Sequence, residues 1–262
     1  MAIGRRGRVA KNAAAWAELG RDNPFWGVLS GEPYDGADAD SVPAEFWHSG
    51  EREIAGVREV LAELDPDFVA NTVVDFGCGV GRLLVPLAAP AERAYGIDVS
   101  APMLDATRKR LAQERLENTT LVHSAAELAE AGVQADLVHS QIVFQHMPVE
   151  AGEQAVRELL GLLRPGGWGA LQFYLGRNSG SVVNWVSQAR SRSRAMNAAV
   201  SFARGKPTLS AQPYEMNGYE TRRLLAIFAE FGIATARIDS AVTDDGVSAT
   251  FFVRRPSWIS RV

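Results

Sequence analysis

Between residues 70 and 175 short apolar runs alternate with stretches whose apolar positions recur every three or four residues. The pattern predicts strand 72–76, helix 81–89, strand 93–98, helix 101–114, strand 119–123, helix 125–130, strand 135–140, helix 150–163 and strand 167–174. Such strand–helix repetition requires a parallel sheet with right-handed crossovers and helices on both faces. Ahead of it, Phe46, Trp47, Ile54, Val57, Val60, Leu61 and Leu64 fall on one side of a long amphipathic helix that starts at Ala44 and is ended by Asp65-Pro66. A short helix is expected over 13–19, loops over 22–24 and 31–36, and a frayed basic tail over residues 1–12. After an interval at 176–213 the pattern resumes with helix 218–231 and strands near 233–239 and 247–254.

The first strand runs into Asp75-Phe76-Gly77-Cys78-Gly79-Val80-Gly81-Arg82, an acid followed by three glycines at alternate positions. Glycine removes the Cβ atoms that would hold a ligand off the backbone and permits φ > 0 where a strand turns sharply into a helix. The segment therefore reads as a nucleotide-type cradle. A dinucleotide fingerprint G-x-G-x-x-G would place its third glycine at position 82, where Arg82 stands, and this spacing argues against a nicotinamide dehydrogenase.

The loop resembles motif I, D-x-G-x-G-x-G, of the class I S-adenosylmethionine-dependent methyltransferases. Its companions follow in order: Asp98 closes the second strand 21 residues after Gly77, Ser100-Ala101-Pro102-Met103-Leu104 opens a helix, 135–140 resembles the fourth strand, and Leu163-Arg164-Pro165-Gly166-Gly167 matches the turn before the fifth. The resemblance implies an α/β fold with a doubly wound, seven-stranded, mostly parallel Rossmann-like sheet whose last strand inserts antiparallel between the fifth and sixth. It also implies a helical N-terminal lid and an insertion after strand five. The corresponding division is a lid segment over 1–70, a cofactor-binding core over 71–175, a substrate-cap insertion over 176–213 and the rest of the core sheet over 214–262.

By the same resemblance S-adenosylmethionine is the cofactor and S-adenosylhomocysteine the product. Gly77, Cys78, Gly79 and Gly81 would admit the methionine part, Asp75 would orient it, and Arg82 would pair with its carboxylate. Asp98, with Val99 beside it, is the expected ribose ligand, while Met103 and the backbone of Ala125 and Ala126 would meet the adenine. In the adenine-contacting turn the family's usual acid is replaced by Ser124. Gln141, after the fourth strand, would lie near the methyl donor.

Methyl transfer from a sulfonium needs alignment more than acid–base help, so a base is required only where the acceptor must lose a proton. His146 is the candidate, as the side chain in this region whose ordinary pKa lies near neutrality; the alternative is that it fixes its loop through backbone hydrogen bonds. Acceptor contacts are expected from Trp26, Phe46, Trp47, Gln145, His146, Arg190, Tyr214 and Met216; the alternatives are that the aromatic side chains pack the extra helix onto the sheet and that the basic interval is a solvated helix face. Residues 45–50, Glu45-Phe46-Trp47-His48-Ser49-Gly50, resemble an F-x-x-[ST]-G stretch that lies across the cofactor in related enzymes.

Charge refines the acceptor. The chain carries a formal net charge of −4, so no global field draws it to nucleic acid. Residues 176–213 nevertheless hold Arg177, Arg190, Arg192, Arg194, Arg204 and Lys206 without an acid, which suits an anionic or carrier-bound small molecule, and in the family this region also supports homodimers. A single cysteine, Cys78, excludes an internal disulfide, no Cys/His cluster has metal-ligand spacing, and no run of residues approaches a membrane span. The expectation is a cytoplasmic enzyme methylating oxygen or nitrogen of a small molecule, with natural-product tailoring as the favoured setting. A nicotinamide oxidoreductase and a non-catalytic cofactor-binding subunit are the competing readings.

Overall fold

The computed structural model describes residues 5–176, 216–243 and 246–257. Seven strands form one sheet in the order β3-β2-β1-β4-β5-β7-β6, with β1 Thr72–Phe76, β2 Arg93–Ile97, β3 Thr119–Val122, β4 Ala135–Ser140, β5 Leu163–Gly176, β6 Ala236–Thr243 and β7 Gly246–Arg254. The first five strands pair in parallel, whereas β7 runs antiparallel between β5 and β6, the expected insertion. Strand order reverses between β1 and β4, and in an open α/β sheet the crevice beyond the carboxyl ends at that switch point is where ligands bind.

Alternate strand residues feed two cores. Val74 and Val138 turn to one face, with Leu128 of α6 (Ala125–Glu130), Val156 and Leu159 of α7 (Val149–Leu162) and Leu224 and Phe228 of α8 (Thr221–Glu230). Val73 and Leu137 turn to the other, covered by Ile54, Val57 and Leu61 of α3 (Ala44–Leu64) and Leu84 and Leu87 of α4 (Leu84–Ala88). Helix α3 takes its place as the apolar pattern predicts, and its Gly50 allows the closest approach: a Cβ there would stand 2.3 Å from the carbonyl oxygen of Arg82.

The amino-terminal segment departs from the expected frayed tail. Helix α1 runs from Arg5 to Asp22, followed by α2, Pro24–Val28, at the place of an expected loop. The basic residues give positions 5–12 a solvated look, but Val9, Asn12, Ala13 and Trp16 recur at helical spacing and face the sheet's carboxyl end. Asn12 Nδ2 donates to the His146 carbonyl at 2.7 Å, and Ser100 Oγ donates to the Trp16 carbonyl at 3.0 Å. Helix α1 therefore lies against the start of α5, Ala101–Gln113. The predicted strand 233–239 begins later, at Ala236. Of the insertion expected at 176–213, all but Gly176, the last residue of β5, lies outside the described residues, as do Arg190 within it and Tyr214.

Candidate active site

The turn after β1 is built as its glycines require. Gly77, Gly79 and Gly81 have φ of +74°, +55° and +89°, the left-handed region that costs a residue with a Cβ roughly 1–2 kcal/mol. Gly77 N and Cys78 N both donate to the Ile97 carbonyl, at 2.8 and 3.0 Å, which ties the turn to the end of β2. Gly79 is held from both sides: its N–H donates to Asp98 Oδ2 at 2.9 Å and its carbonyl accepts from Thr107 Oγ1 at 2.5 Å. Asp98 Oδ1 accepts from Ser100 N at 2.8 Å. Burial pushes the Asp98 carboxyl up to about 6 despite these two donors. Burial also pushes the Cys78 thiol well up, so it stays protonated and packs as a small apolar group.

These residues wall a cleft of about 150 Å³. Asp75, Gly77, Cys78, Gly79, Arg82, Asp98, Val99, Met103, Gln141 and His146 all line it. Three of them keep a buried polar atom without a hydrogen-bond partner: Asp75 Oδ2, Arg82 Nε and Gln141 Oε1. Orphaned buried polar groups are costly, about 1–3 kcal/mol each, and they mark places where a ligand completes the bonding. Burial holds the Arg82 guanidinium below its usual range, an effect opposed by Glu53 and Asp75.

The loop after β4 supplies the next wall. Ile142 adopts φ of +60°, an unfavourable conformation for a β-branched residue. Gln172 on β5 accounts for it, because its Oε1 accepts from Ile142 N at 2.7 Å and pins the turn that carries Gln141. His146 follows on a single 3-10 turn and meets Trp16 edge-on, with ring centroids 5.4 Å apart.

With this geometry in place, comparison with known proteins gives a consistent answer. Residues 73–167 match the family described as Methyltransferase domain. Over that stretch the chain is similar to a class I methyltransferase domain. The chain is 37% identical over 130 residues to a trans-aconitate 2-methyltransferase of Azoarcus sp. BH72, covering 49% of this chain and 48% of that protein. It is 30% identical over 150 residues to a ribosomal RNA small subunit methyltransferase C of Escherichia coli O7:K1, covering 55% and 41%. The chain thus spans about half the length of the curated relatives it matches. In fold it is similar to the magnesium protoporphyrin IX methyltransferase of Synechocystis PCC 6803 with bound SAH, at TM-score 0.61 and 19% identity, over 94% of this chain and 99% of that one.

Several residues expected at the cofactor or acceptor are not among those lining the cleft. Gly81 does not border the cleft; it turns the chain beside Thr107, whose Cγ2 would be 3.2 Å from an added Cβ. Ala125 and Ala126 begin α6 away from the cleft lining, and Ser124 caps that helix. Ser124 Oγ donates to Glu127 Oε1 at 2.9 Å and accepts from Glu127 N at 3.4 Å, while His123 N donates to the same carboxylate at 3.1 Å. The S-x-x-E spacing is that of a capping box, here with the carboxylate taking the N–H one residue before the cap, and the serine at the place of the family's acid serves as the helix cap.

The aromatic lid is also redistributed. Phe46 is fully buried among Phe25, Val80 and Met103, and Trp47 lies edge-on to Phe25 and Phe46 beneath the Arg110 guanidinium, 4.1 Å from the ring centroid. Neither lines the cleft, nor does Trp26; the N-terminal wall is Val9, Asn12, Ala13, Trp16, Gly27 and Val28. Gln145 likewise stands outside the lining, its carbonyl accepting from Asn217 N at 2.7 Å next to exposed Met216. No helix among the described residues is long and apolar enough to cross a membrane, and no metal-ligating cluster occurs among them.

Proposed function

We propose that the protein transfers a methyl group from S-adenosylmethionine to an oxygen or nitrogen of a small-molecule acceptor. The observation that carries this reading is the set of orphaned atoms in the cleft. Arg82 Nε is a donor suited to a carboxylate, whereas Asp75 Oδ2 and Gln141 Oε1 are acceptors suited to an ammonium. An α-amino acid end satisfies both kinds at once, and Asp98 lies on the cleft where ribose hydroxyls would donate to it. A nicotinamide dinucleotide carries amide and hydroxyl donors but no ammonium to set between the two acceptors.

When bound, the cofactor supplies an electrophilic methyl on a sulfonium, already a good leaving group. The protein's own work is alignment: the glycine turn admits the ligand backbone, Gln172 fixes the Gln141–Ile142 turn, and α1 shields the cleft from water. His146 on the rim is the proposed base for a hydroxyl or amine acceptor. With such an acceptor, His146→Ala should lower kcat by about 10²–10⁴-fold while leaving S-adenosylhomocysteine affinity unchanged. Full turnover in that variant assigns His146 to holding the loop.

An anionic acceptor is favoured by the acid-free stretch 176–213 with its six basic residues. The name of the trans-aconitate relative, in which the acceptor is a small carboxylate, is in keeping with this. A net charge of −4 gives no support to an RNA acceptor such as the name of the ribosomal RNA relative would suggest. The primary test is thermal stability with added ligands. S-adenosylhomocysteine at a hundredfold excess over its Kd should add about 2.7 kcal/mol by linkage, and NADH should add none. Stabilisation by NADH alone would reverse the assignment.

A further inference from the structure

We infer that His139 is a positioning residue for the methionine end of the cofactor, acting through Asp75; the inference rests on the cofactor proposed for the cleft. Asp75 and His139 are paired across β1 and β4, the two strands that flank the switch point. His139 Nδ1 lies 2.8 Å from Asp75 Oδ1, and both residues are 2% exposed. Because a carboxylate oxygen is an acceptor, Nδ1 carries the proton of this bond. The pair is internal to the protein, so water cannot take over its role.

The consequence lies in what the bond leaves over. With Oδ1 committed to β4, Oδ2 is the oxygen Asp75 has available, and it is buried without a partner in a residue that lines the cleft. Without that bond the carboxylate would be free to rotate about Cβ–Cγ and present either oxygen at varying angles. The imidazole removes that freedom and leaves a single acceptor in the cleft that Gln141 also lines, for the ammonium of the proposed cofactor. Metal-free ligand sites obey the same logic as metal sites, in which a hydrogen bond behind the contacting group fixes its orientation.

His139 also forms part of a second hollow, between α3 and the β4–β5–β7 surface, with Gly56, Val57, Gln172, Thr250 and Phe252. It thus stands in the wall between that hollow and the cofactor cleft. Val57 and Phe252 line that hollow together with the charged side chains Arg52, Glu53 and Asp239. The choice of a buried imidazole is accounted for by its bond to Asp75.

The test compares two ligands that differ in the part concerned. Binding of S-adenosylhomocysteine and of 5′-methylthioadenosine, which lacks the amino acid end, is measured by calorimetry for the wild type, His139→Leu and His139→Asn. The leucine keeps the volume and removes the donor; the asparagine amide can donate from near the position of Nδ1. The expected result is at least a tenfold loss of S-adenosylhomocysteine affinity for His139→Leu with methylthioadenosine affinity unchanged, and recovery to within threefold of wild type for His139→Asn. Equal loss of both ligands, or loss of neither, overturns the inference and leaves the cofactor reading intact. Failure of the wild type to bind S-adenosylhomocysteine overturns that reading instead. Should His139→Leu give no cooperative thermal transition, His139→Asn against His139→Gln decides: the glutamine amide reaches past Asp75, so only the asparagine variant should retain selectivity for S-adenosylhomocysteine over methylthioadenosine, and equal selectivity in the two overturns the inference.

Discussion

Gly77→Ala should eliminate measurable S-adenosylhomocysteine binding and lower the thermal stability of the free protein. Two independent effects converge at this position. The backbone sits at φ +74°, where an alanine costs roughly 1–2 kcal/mol. Its Cβ would also lie 2.2 Å from Val143 Cγ2, far inside van der Waals contact, and overpacking of this kind costs about 1–3 kcal/mol. Val143 itself lines the cleft, so relief by moving it narrows the space the ligand needs. The two effects separate experimentally. Adding Val143→Ala should recover the steric part of the lost stability but not the conformational part, so Gly77→Ala/Val143→Ala should melt between the single variant and the wild type. Wild-type affinity in Gly77→Ala would mean that the turn is not the cradle.

Binding of S-adenosylhomocysteine should weaken about tenfold between pH 7.5 and pH 5, with the change centred near pH 6. The cause is Asp98, whose carboxyl burial pushes up to about 6, and which must be ionised to accept fully from ribose hydroxyls. The tenfold figure follows from the fraction ionised at each pH if the bound form stays ionised throughout. Stability of the free protein should move the other way. The folded carboxyl has a higher pKa than an unfolded one, so its contribution is fully present below about pH 4 and is lost as pH rises through about 6. Opposite trends in ligand affinity and apo stability are therefore the signature of this residue. Asp98→Asn should flatten the affinity profile and, by removing charge-assisted bonds worth about 1.5–3 kcal/mol, reduce affinity at pH 7.5 by roughly tenfold to a hundredfold. An unchanged profile in Asp98→Asn would assign the pH effect to another group.

Gly77 and Asp98, the residues behind these predictions, are legible in the sequence because their roles are local. They sit at the ends of consecutive strands, and the geometry of one strand–turn–helix unit almost dictates what they do. Ser124 carries a readable signal as well, the S-x-x-E spacing of a capping box, but the family's acid at that place points toward adenine contact instead. Phe46 and Trp47 are ambiguous for a different reason. An aromatic residue on an amphipathic helix has the same pattern whether it meets a ligand or another helix, and here α1 and α2 cover it.

Sequence alone determined the order of strands and helices along the core, the left-handed glycine turn and the acid after β2, because each depends on periodicity or on contacts within one unit. Tertiary structure decided which side chains wall the cleft. Helix α1 became its roof through the Asn12 and Trp16 contacts to a loop more than a hundred residues away, as no local rule could specify. It also decided the pairing of Asp75 with His139, 64 residues apart, since only the register of β1 against β4 brings a donor behind a carboxylate that lines the cleft.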